Sequence, residues 1–211
     1  MKLIDISPPL QVDTPIWPGD TAFDSQPTWV LDDQCPVNVS RLVCSTHVGA
    51  HADAPLHYDP QGLPIGQVDL LPYIGACRVV HCLNTQSVVD LPTLQVALKK
   101  FITPLPPRVL IRTYAQFPIN QWDDEFCAID AEVIHWLHEQ GVILVGIDSA
   151  SIDPMQSKTL DAHHAVQAHD MRILENLYLD QVNEGDYELI ALPLKLMHLD
   201  ASPVRAILRS I

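Results

Sequence analysis

Four side chains that can bind a metal ion stand at alternate positions in one short stretch of the sequence. His47, His51, Asp53 and His57 all fall on odd numbers, and the even positions between them carry small or apolar side chains. In an extended chain, residues two apart point to the same face, so the spacing predicts all four side chains on one face. Imidazole nitrogen together with carboxylate oxygen suits zinc or a neighbouring transition metal. The stretch therefore predicts a metal site.

A straight strand would hold two of these side chains too far apart to share an ion. Residues four apart in a strand are separated by about 13 Å, since each residue adds about 3.3 Å. His47 and His51 could barely meet at one zinc ion, whose bonds to nitrogen are about 2.0–2.1 Å long. We therefore expect the chain to bend near Gly49, because glycine tolerates a positive φ or a bulge.

A second group of candidate ligands lies farther along the chain and includes His163, His169 and Glu175. On one continuous helix, His163 and Glu175 would lie about 18 Å apart at 1.5 Å per residue, too far to share a centre. His163 and Glu175 can share a metal centre only if a short helix over residues 162–170 is followed by an extended segment over residues 172–177. The alternative stays open at this point: Glu175 would then be a surface glutamate and His169 a histidine on a helix face.

Three further residues have chemistry that a site could use. Trp17 lies in a loop bounded by prolines and could stack on an aromatic substrate or plug the core. Asp148 ends a predicted buried strand and could orient a ligand histidine or cap the following turn. Cys44 is a poor candidate nucleophile, because its setting is apolar and no activating group is near in sequence. A Gly-x-Ser-x-Gly elbow, which a serine hydrolase of that type would need, is not found in the sequence.

The elements that must position these side chains are short, and predicted strands outnumber predicted helices. Helical periodicity is clearest over residues 130–140, where Gly141 is a stop signal, and residues 91–101 are a second candidate helix. Runs typical of strands occur at residues 42–45, 77–82, 109–112, 142–147, 187–192 and 205–208. This mixture predicts an α/β domain.

Length and charge restrict the class of protein. The 211 residues suit one domain spanning residues 1–211, and 12 basic against 26 acidic side chains give a formal net charge of −14. Without a basic patch, nucleic acid and anionic membranes are not expected as partners. A signal peptide or an apolar run of about 18 residues is not evident, and five scattered cysteines suit reduced thiols. We expect a cytoplasmic protein with a small-molecule ligand.

The two groups of candidate ligands lie in motifs that resemble a known family. Residues 47–57 follow the pattern HxGxHxDxPxH, and residues 161–176 follow DxHHxxxxxDxxILEN. Both resemble the metal-dependent cyclase-like hydrolases, and within that family the bacterial kynurenine formamidases. The similarity extends over almost the whole chain, from Ile4-Asp5-Ile6-Ser7 to Ser202-Pro203-Val204-Arg205-Ala206.

The resemblance implies a single-domain swivelling β/β/α fold with a mixed sheet, two zinc or other divalent ions per chain, and a homodimer with sites near the subunit interface. The implied metal ligands are His47, His51, Asp53, His163 and Glu175. Of these, the first two histidines would bind one ion and His163 the other, and both carboxylates would reach both ions. Choosing His163 over His164 depends on matching the twelve-residue step to Glu175.

The activity that the resemblance implies is hydrolysis of N-formyl-L-kynurenine to L-kynurenine and formate, a step of tryptophan degradation. His57 would be the proton-transfer residue, since histidine titrates in the range needed to protonate a departing aryl amine. Trp17 would contact the substrate. One alternative is hydrolysis of isatin or another cyclic amide, because relatives of that kind share the metal framework. A more remote alternative is a non-catalytic metal-binding protein, which would not need His57.

Overall fold

A nine-stranded mixed β-sheet is the largest element of the structure, a computed structural model that describes residues 2–83, 85 and 87–211. Two small two-stranded sheets accompany it. The strands are β1 (Leu3–Asp5), β2 (Asp24–Trp29), β3 (Val39–Val43), β4 (His51–Asp53), β5 (Ile74–His81), β6 (Val88–Val89), β7 (Arg108–Arg112), β8 (Ala128–Ile129), β9 (Leu144–Ile147), β10 (Arg172–Glu175), β11 (Gly185–Ile190), β12 (Ala201–Pro203) and β13 (Ile207–Ser210).

The large sheet has a parallel centre and antiparallel edges. Its order is β1-β13-β11-β5-β7-β9-β10-β4-β12, and β5, β7, β9 and β10 run parallel. The remaining neighbours, including β4 between β10 and β12, are antiparallel. Strands β2 and β3 form a separate antiparallel hairpin, and β6 and β8 form a short parallel pair. The motif residues of β4 therefore lie near one edge of the sheet.

Three α-helices begin where a carboxylate can accept from free backbone N–H groups. They are α1 (Leu91–Leu98), α2 (Ala131–Glu139) and α3 (Asp161–Ala168). Asp90 accepts from the backbone of Thr93 at α1, and Asp130 accepts from that of Glu132 at α2. Short 3₁₀ turns occur at Pro55–His57, Ile65–Gln67 and Leu71–Tyr73. Among the described residues, no helix combines the length and apolar composition that crossing a membrane requires.

Both faces of the central strands are buried, so alternate residues of one strand enter two different cores. In β7, Val109 and Ile111 pack in the cluster that α1, α2 and α3 cover. Leu110, between them, packs in the cluster on the other face. Strand β9 repeats the arrangement with Val145 on the helical side and Leu144 opposite. Parallel strands covered on both faces need such continuous apolar runs.

The predicted α/β class with a mixed sheet is confirmed, and most predicted elements are found with shifted ends. The helix predicted over residues 130–140 is α2, and the one over 91–101 ends earlier, at Leu98. All six predicted strands overlap observed ones. The prediction missed β1, β2, β6, β8 and β12, which are mostly two or three residues long, whereas β4 lies within the stretch that was expected to be extended.

Candidate metal centre

The pairing of β4 with β10 places two carboxylates, one from each sequence motif, next to His51. β4 pairs antiparallel with β10, and Glu175 lies opposite His51 in the register. His51 Nε2 is 3.2 Å from Glu175 Oε2 and 3.4 Å from Asp53 Oδ1. All three side chains are buried, with exposed fractions of 3% or less. These three residues form the deepest part of the site, and we call them the buried triad.

His47 reaches the buried triad because the chain bends at Gly49. The φ angle of Gly49 is +59°, and a Cβ at this position would overlap the side chain of Leu10. The bend places His47 Nδ1 3.1 Å from Asp53 Oδ1. The predicted bend is therefore observed. Within residues 47–57 only His51–Asp53 is a strand, and turns on either side carry His47 and His57.

The chain changes from helix to strand between His163 and Glu175, as a metal centre shared by these two residues requires. α3 ends at Ala168 and β10 begins at Arg172, so Glu175 lies on a strand and not on a continued helix. His163 Nε2 lies 3.4 Å from Asp53 Oδ2 and 3.7 Å from Glu175 Oε1. His164 is exposed and contacts Gln167. The geometry therefore places His163, and not its neighbour, at the centre.

Asp153 holds His163 in place and was not found from the sequence. Its Oδ2 lies 2.6 Å from His163 Nδ1 and accepts from the backbone N–H of the same residue at 3.0 Å. Its Oδ1 accepts from the backbone of Ala162 at 3.0 Å, so one carboxylate both caps α3 and orients the histidine. A hydrogen-bonded carboxylate behind a metal-binding imidazole fixes its tautomer and raises its basicity.

Asp200 is the second site residue that sequence reasoning missed. Its Oδ2 lies 3.0 Å from His47 Nε2 and 3.5 Å from His57 Nδ1, and its Oδ1 accepts from Thr46 Oγ1 at 3.1 Å. No local signal marks it, because 153 residues separate it from its first partner. Asp200 therefore links the histidine nearest the buried triad to the more exposed His57.

His57 lies beside the centre and is open to solvent. Its side chain is 33% exposed, and its ring centroid is 4.3 Å from that of His47 and 5.8 Å from that of His163. Ligand atoms of His47, Asp53 and His57 all lie within 4.8 Å of one another. His57 can therefore act on a molecule in the cleft, and its position also permits it to bind an ion.

The carboxylates of the site strongly favour protonated imidazoles at two positions. Burial alone would lower the pKa of His47, but the nearby carboxylates of Asp200 and Asp53 outweigh it and raise the pKa to about 10. Burial would likewise lower the pKa of His163, but the carboxylates of Asp153 and Asp53 raise it to about 10. Burial would raise the pKa of Asp53, but the neighbouring imidazoles of His163 and His47 hold it well below its ordinary value.

The donor set of the buried triad fits a cation. His51 Nδ1 donates to the carbonyl oxygen of Gly49 at 2.8 Å, which leaves Nε2 to face the carboxylates. Neither His51 Nε2 nor Asp53 Oδ1 has a hydrogen-bond partner among the described residues, although both atoms are buried. Buried unpaired acceptors cost free energy, and a shared divalent ion would satisfy both. Nitrogen and carboxylate oxygen are ligands that zinc accepts.

A cavity of about 280 Å³ opens onto these ligands, and part of its wall is aromatic. Trp17 lines it and is 38% exposed, with its ring edge-on to that of Trp122 at a centroid distance of 5.5 Å. Ile16 and Leu160 add apolar surface. Leu160 has a φ of +51°, an unusual conformation for a side chain of this type, directly before α3. The structure thus brings Trp17 into the same cavity as His57.

Two residues weighed at the sequence level have other roles. Asp148 accepts from the backbone N–H groups of Thr113 and Tyr114 and from the Thr113 hydroxyl, so it caps the turn after β7. Burial raises the pKa of the Cys44 thiol, which disfavours the reactive thiolate. The cysteine nucleophile therefore has no support from the structure.

Comparison with known proteins points to one family and one fold. The model of the Cyclase family matches residues 4–154. A potential metal-dependent hydrolase with cyclase activity superposes with a TM-score of 0.82 at 25% identity, covering 98% of this chain and 96% of the other. A predicted metal-dependent hydrolase from Bacillus stearothermophilus gives 0.79 at 24%, covering 98% and 97%. An isatin hydrolase bound to the product analogue thioisatinate gives 0.84 at 19%, covering 98% and 91%.

Proposed function

The chain belongs to the Cyclase family. We propose that it is a metal-dependent amide hydrolase and that its substrate is N-formyl-L-kynurenine. The products would be L-kynurenine and formate. The observation that carries the proposal is the buried triad beside an aromatic-walled cavity: His51 Nε2 and Asp53 Oδ1 have no hydrogen-bond partner in the part of the chain that the structure describes. Such a site suits an aryl amide whose reacting bond must lie next to the ligands.

We propose that five residues hold two divalent ions, zinc being the expected metal. They are His47, His51, Asp53, His163 and Glu175. The ions would supply a water of lowered pKa and a polarised carbonyl group. Three of the five are the buried triad, where two carboxylates offset the charge of the cations.

His57 is the residue proposed to move the proton. Breaking the amide bond leaves an aryl amine, which must gain a proton as it departs. His57 is partly exposed, next to the ligands and on the lining of the cavity, so it can reach a leaving nitrogen there. Asp200 Oδ2 lies 3.5 Å from His57 Nδ1 and can hold the ring so that the other nitrogen, Nε2, faces the substrate.

The aryl ring of the substrate is proposed to lie against Trp17. Trp17 and Trp122 form an edge-to-face pair, and a third ring in the cavity could extend it. The apolar side chains of Ile16 and Leu160 exclude water from the same wall. A cavity of about 280 Å³ is of the size that holds a small aromatic molecule.

A homodimer is part of the proposal, and the β2–β3 hairpin is the surface that supports it. Apolar side chains along and beside the hairpin are strongly exposed, among them Trp29 at 57%, Leu31 at 56% and Leu42 at 58%. Several large apolar side chains exposed on one hairpin are typical of a protein interface. Sedimentation of the purified chain would detect the dimer, and we expect Leu42→Asp to weaken it without removing metal.

A direct comparison of two substrates tests the proposed function. Purified, metal-analysed protein is assayed with N-formyl-L-kynurenine for formate release and with isatin for ring opening. We expect kcat/KM to be much larger for the formamide, because the amide of isatin lies in a fused ring and presents a different geometry to the site. A larger kcat/KM for isatin would reassign the substrate and leave the metal centre intact. Activity on neither would contradict the proposal.

A further inference from the structure

Three histidines form a separate cluster on the helical surface of the molecule, and none of them lines the cavity described above. His135 and His138 project from the exposed face of α2, one turn apart. His169 follows the last residue of α3, at the opposite end of that helix from His163. The two helices pack against each other, so the cluster joins residues from two different elements.

The distances within the cluster are close to those of a bound metal ion. His135 Nδ1 lies 2.8 Å from His169 Nε2. In a tetrahedral zinc site with Zn–N bonds of about 2.0–2.1 Å, two ligand nitrogens are about 3.3 Å apart. An adjustment of about 0.5 Å, available to partly exposed side chains, would open the pair to an ion. The ring of His138 stacks on that of His169 with centroids 4.0 Å apart and planes at 15°.

We propose that His135 and His169 bind a divalent transition-metal ion at this surface, and that His138 becomes the third ligand when the ion binds. In the described residues the three histidines are not preassembled as a ligand group, so the ring of His138 must move. His138 is exposed, so its ring can rotate off His169 towards the ion. A site of imidazole nitrogens selects Zn²⁺, Ni²⁺ or Cu²⁺ over the hard ions Mg²⁺ and Ca²⁺, which prefer oxygen. The remaining coordination positions face solvent and would be filled by water or by a ligand from outside.

The surroundings of His169 favour the neutral imidazole that a metal requires. Burial lowers the pKa of His169, and the neighbouring His138 and His135 lower it further, whereas Glu139 acts in the opposite direction. An unprotonated nitrogen can bind an ion without first releasing a proton. This differs from the buried centre, where carboxylates raise the pKa of His47 and His163 to about 10.

An ion bound here would tie α2 to the end of α3. At the end of α3 the backbone N–H groups of His169 and Met171 donate to Val166 O, that of Asp170 donates to Gln167 O, and Asp170 has a positive φ of 50°. Holding His169 to α2 would therefore stabilise this end of the helix. Because the ion binds only the folded chain, it should raise the unfolding temperature in proportion to its occupancy.

The test counts binding sites in protein that holds zinc at the buried centre and from which other zinc has been removed. Ni²⁺ is titrated calorimetrically into wild type, His135→Ala, His169→Ala and the control His198→Ala, which removes an exposed histidine outside the cluster. We expect wild type and the control to show one Ni²⁺ site that both cluster variants lack. Zinc retained at the buried centre, measured by elemental analysis, verifies that nickel has not replaced it.

Two further readouts separate this site from the buried centre. Ni²⁺ should raise the melting temperature of wild type but not of His169→Ala, while hydrolytic activity of the loaded enzyme stays the same in both. Ni²⁺ binding that is equal in wild type and His169→Ala would overturn the proposal, and so would the lack of any site in wild type. In either case the three histidines form only a surface hydrogen-bonding cluster.

Discussion

Replacing Asp153 by asparagine should weaken metal binding at the buried centre much more than it weakens the fold. The carboxylate contacts His163 Nδ1 at 2.6 Å and accepts from two backbone N–H groups of α3. An amide still offers one acceptor to the helix but lacks the charge that makes the imidazole a strong ligand. Losing such a partner costs about 10–100-fold in metal affinity, which is about 1.4–2.7 kcal/mol.

The control for this prediction is Asp130→Ala, which removes the cap of α2, whose side chain accepts from the backbone of Glu132 and not from a proposed ligand. A lost cap costs about 0.5–2 kcal/mol, and each kcal/mol lowers the melting temperature of a chain of this size by about 2–4 °C. We expect both variants to melt somewhat lower without metal, but only Asp153→Asn to bind zinc more weakly. Competition with a chromophoric chelator at fixed pH measures the affinity. Equal zinc affinity in wild type and Asp153→Asn would refute the positioning role.

Three further predictions concern the ligands, the cavity and pH. The His57→Ala variant should keep its metal, and its kcat should fall by a factor of about 10²–10⁴. His51→Ala should lose both metal and activity. If His57→Ala proved free of metal, His57 would be a metal ligand and not the proton-transfer residue. Trp17→Ala should mainly raise KM, about tenfold, with metal content unchanged, and an unchanged KM would remove Trp17 from the substrate site. The pKa values of about 10 at His47 and His163 mean that protons compete with metal. Zinc affinity should therefore fall as the pH falls, with proton release measurable by calorimetry in two buffers, and an affinity independent of pH would contradict this.

The sequence was most informative where chemistry and local geometry constrain each other. Gly49 had to bend because a straight strand separates His47 from His51, and the bend is observed. In the same way, His163 and Glu175 could share a centre only if a helix gave way to a strand, and α3 is followed by β10. Distance arguments of this kind need only the chain's own dimensions.

The parts that the sequence did not predict depend on contacts between distant segments. Asp200 directly precedes β12, and it contacts His47 only because β12 pairs with β4. The periodicity of apolar residues in a sequence does not show which strands pair. Asp153 sits in an irregular loop before α3, where no repeat distinguishes it from other acidic residues. The alternation over residues 47–57 does not indicate where the strand begins and ends: turns and the short strand His51–Asp53 together position the four side chains.

The central claim is that hydrolysis depends on divalent ions held by the buried triad and its neighbouring histidines. Its most direct test removes metal with a chelator and returns zinc in steps, while formate release from N-formyl-L-kynurenine and bound zinc are measured on the same samples. We predict no activity without metal, and activity that rises with occupancy and levels off when the buried centre holds two ions per chain. Full activity in protein that retains no stoichiometric metal would contradict the account.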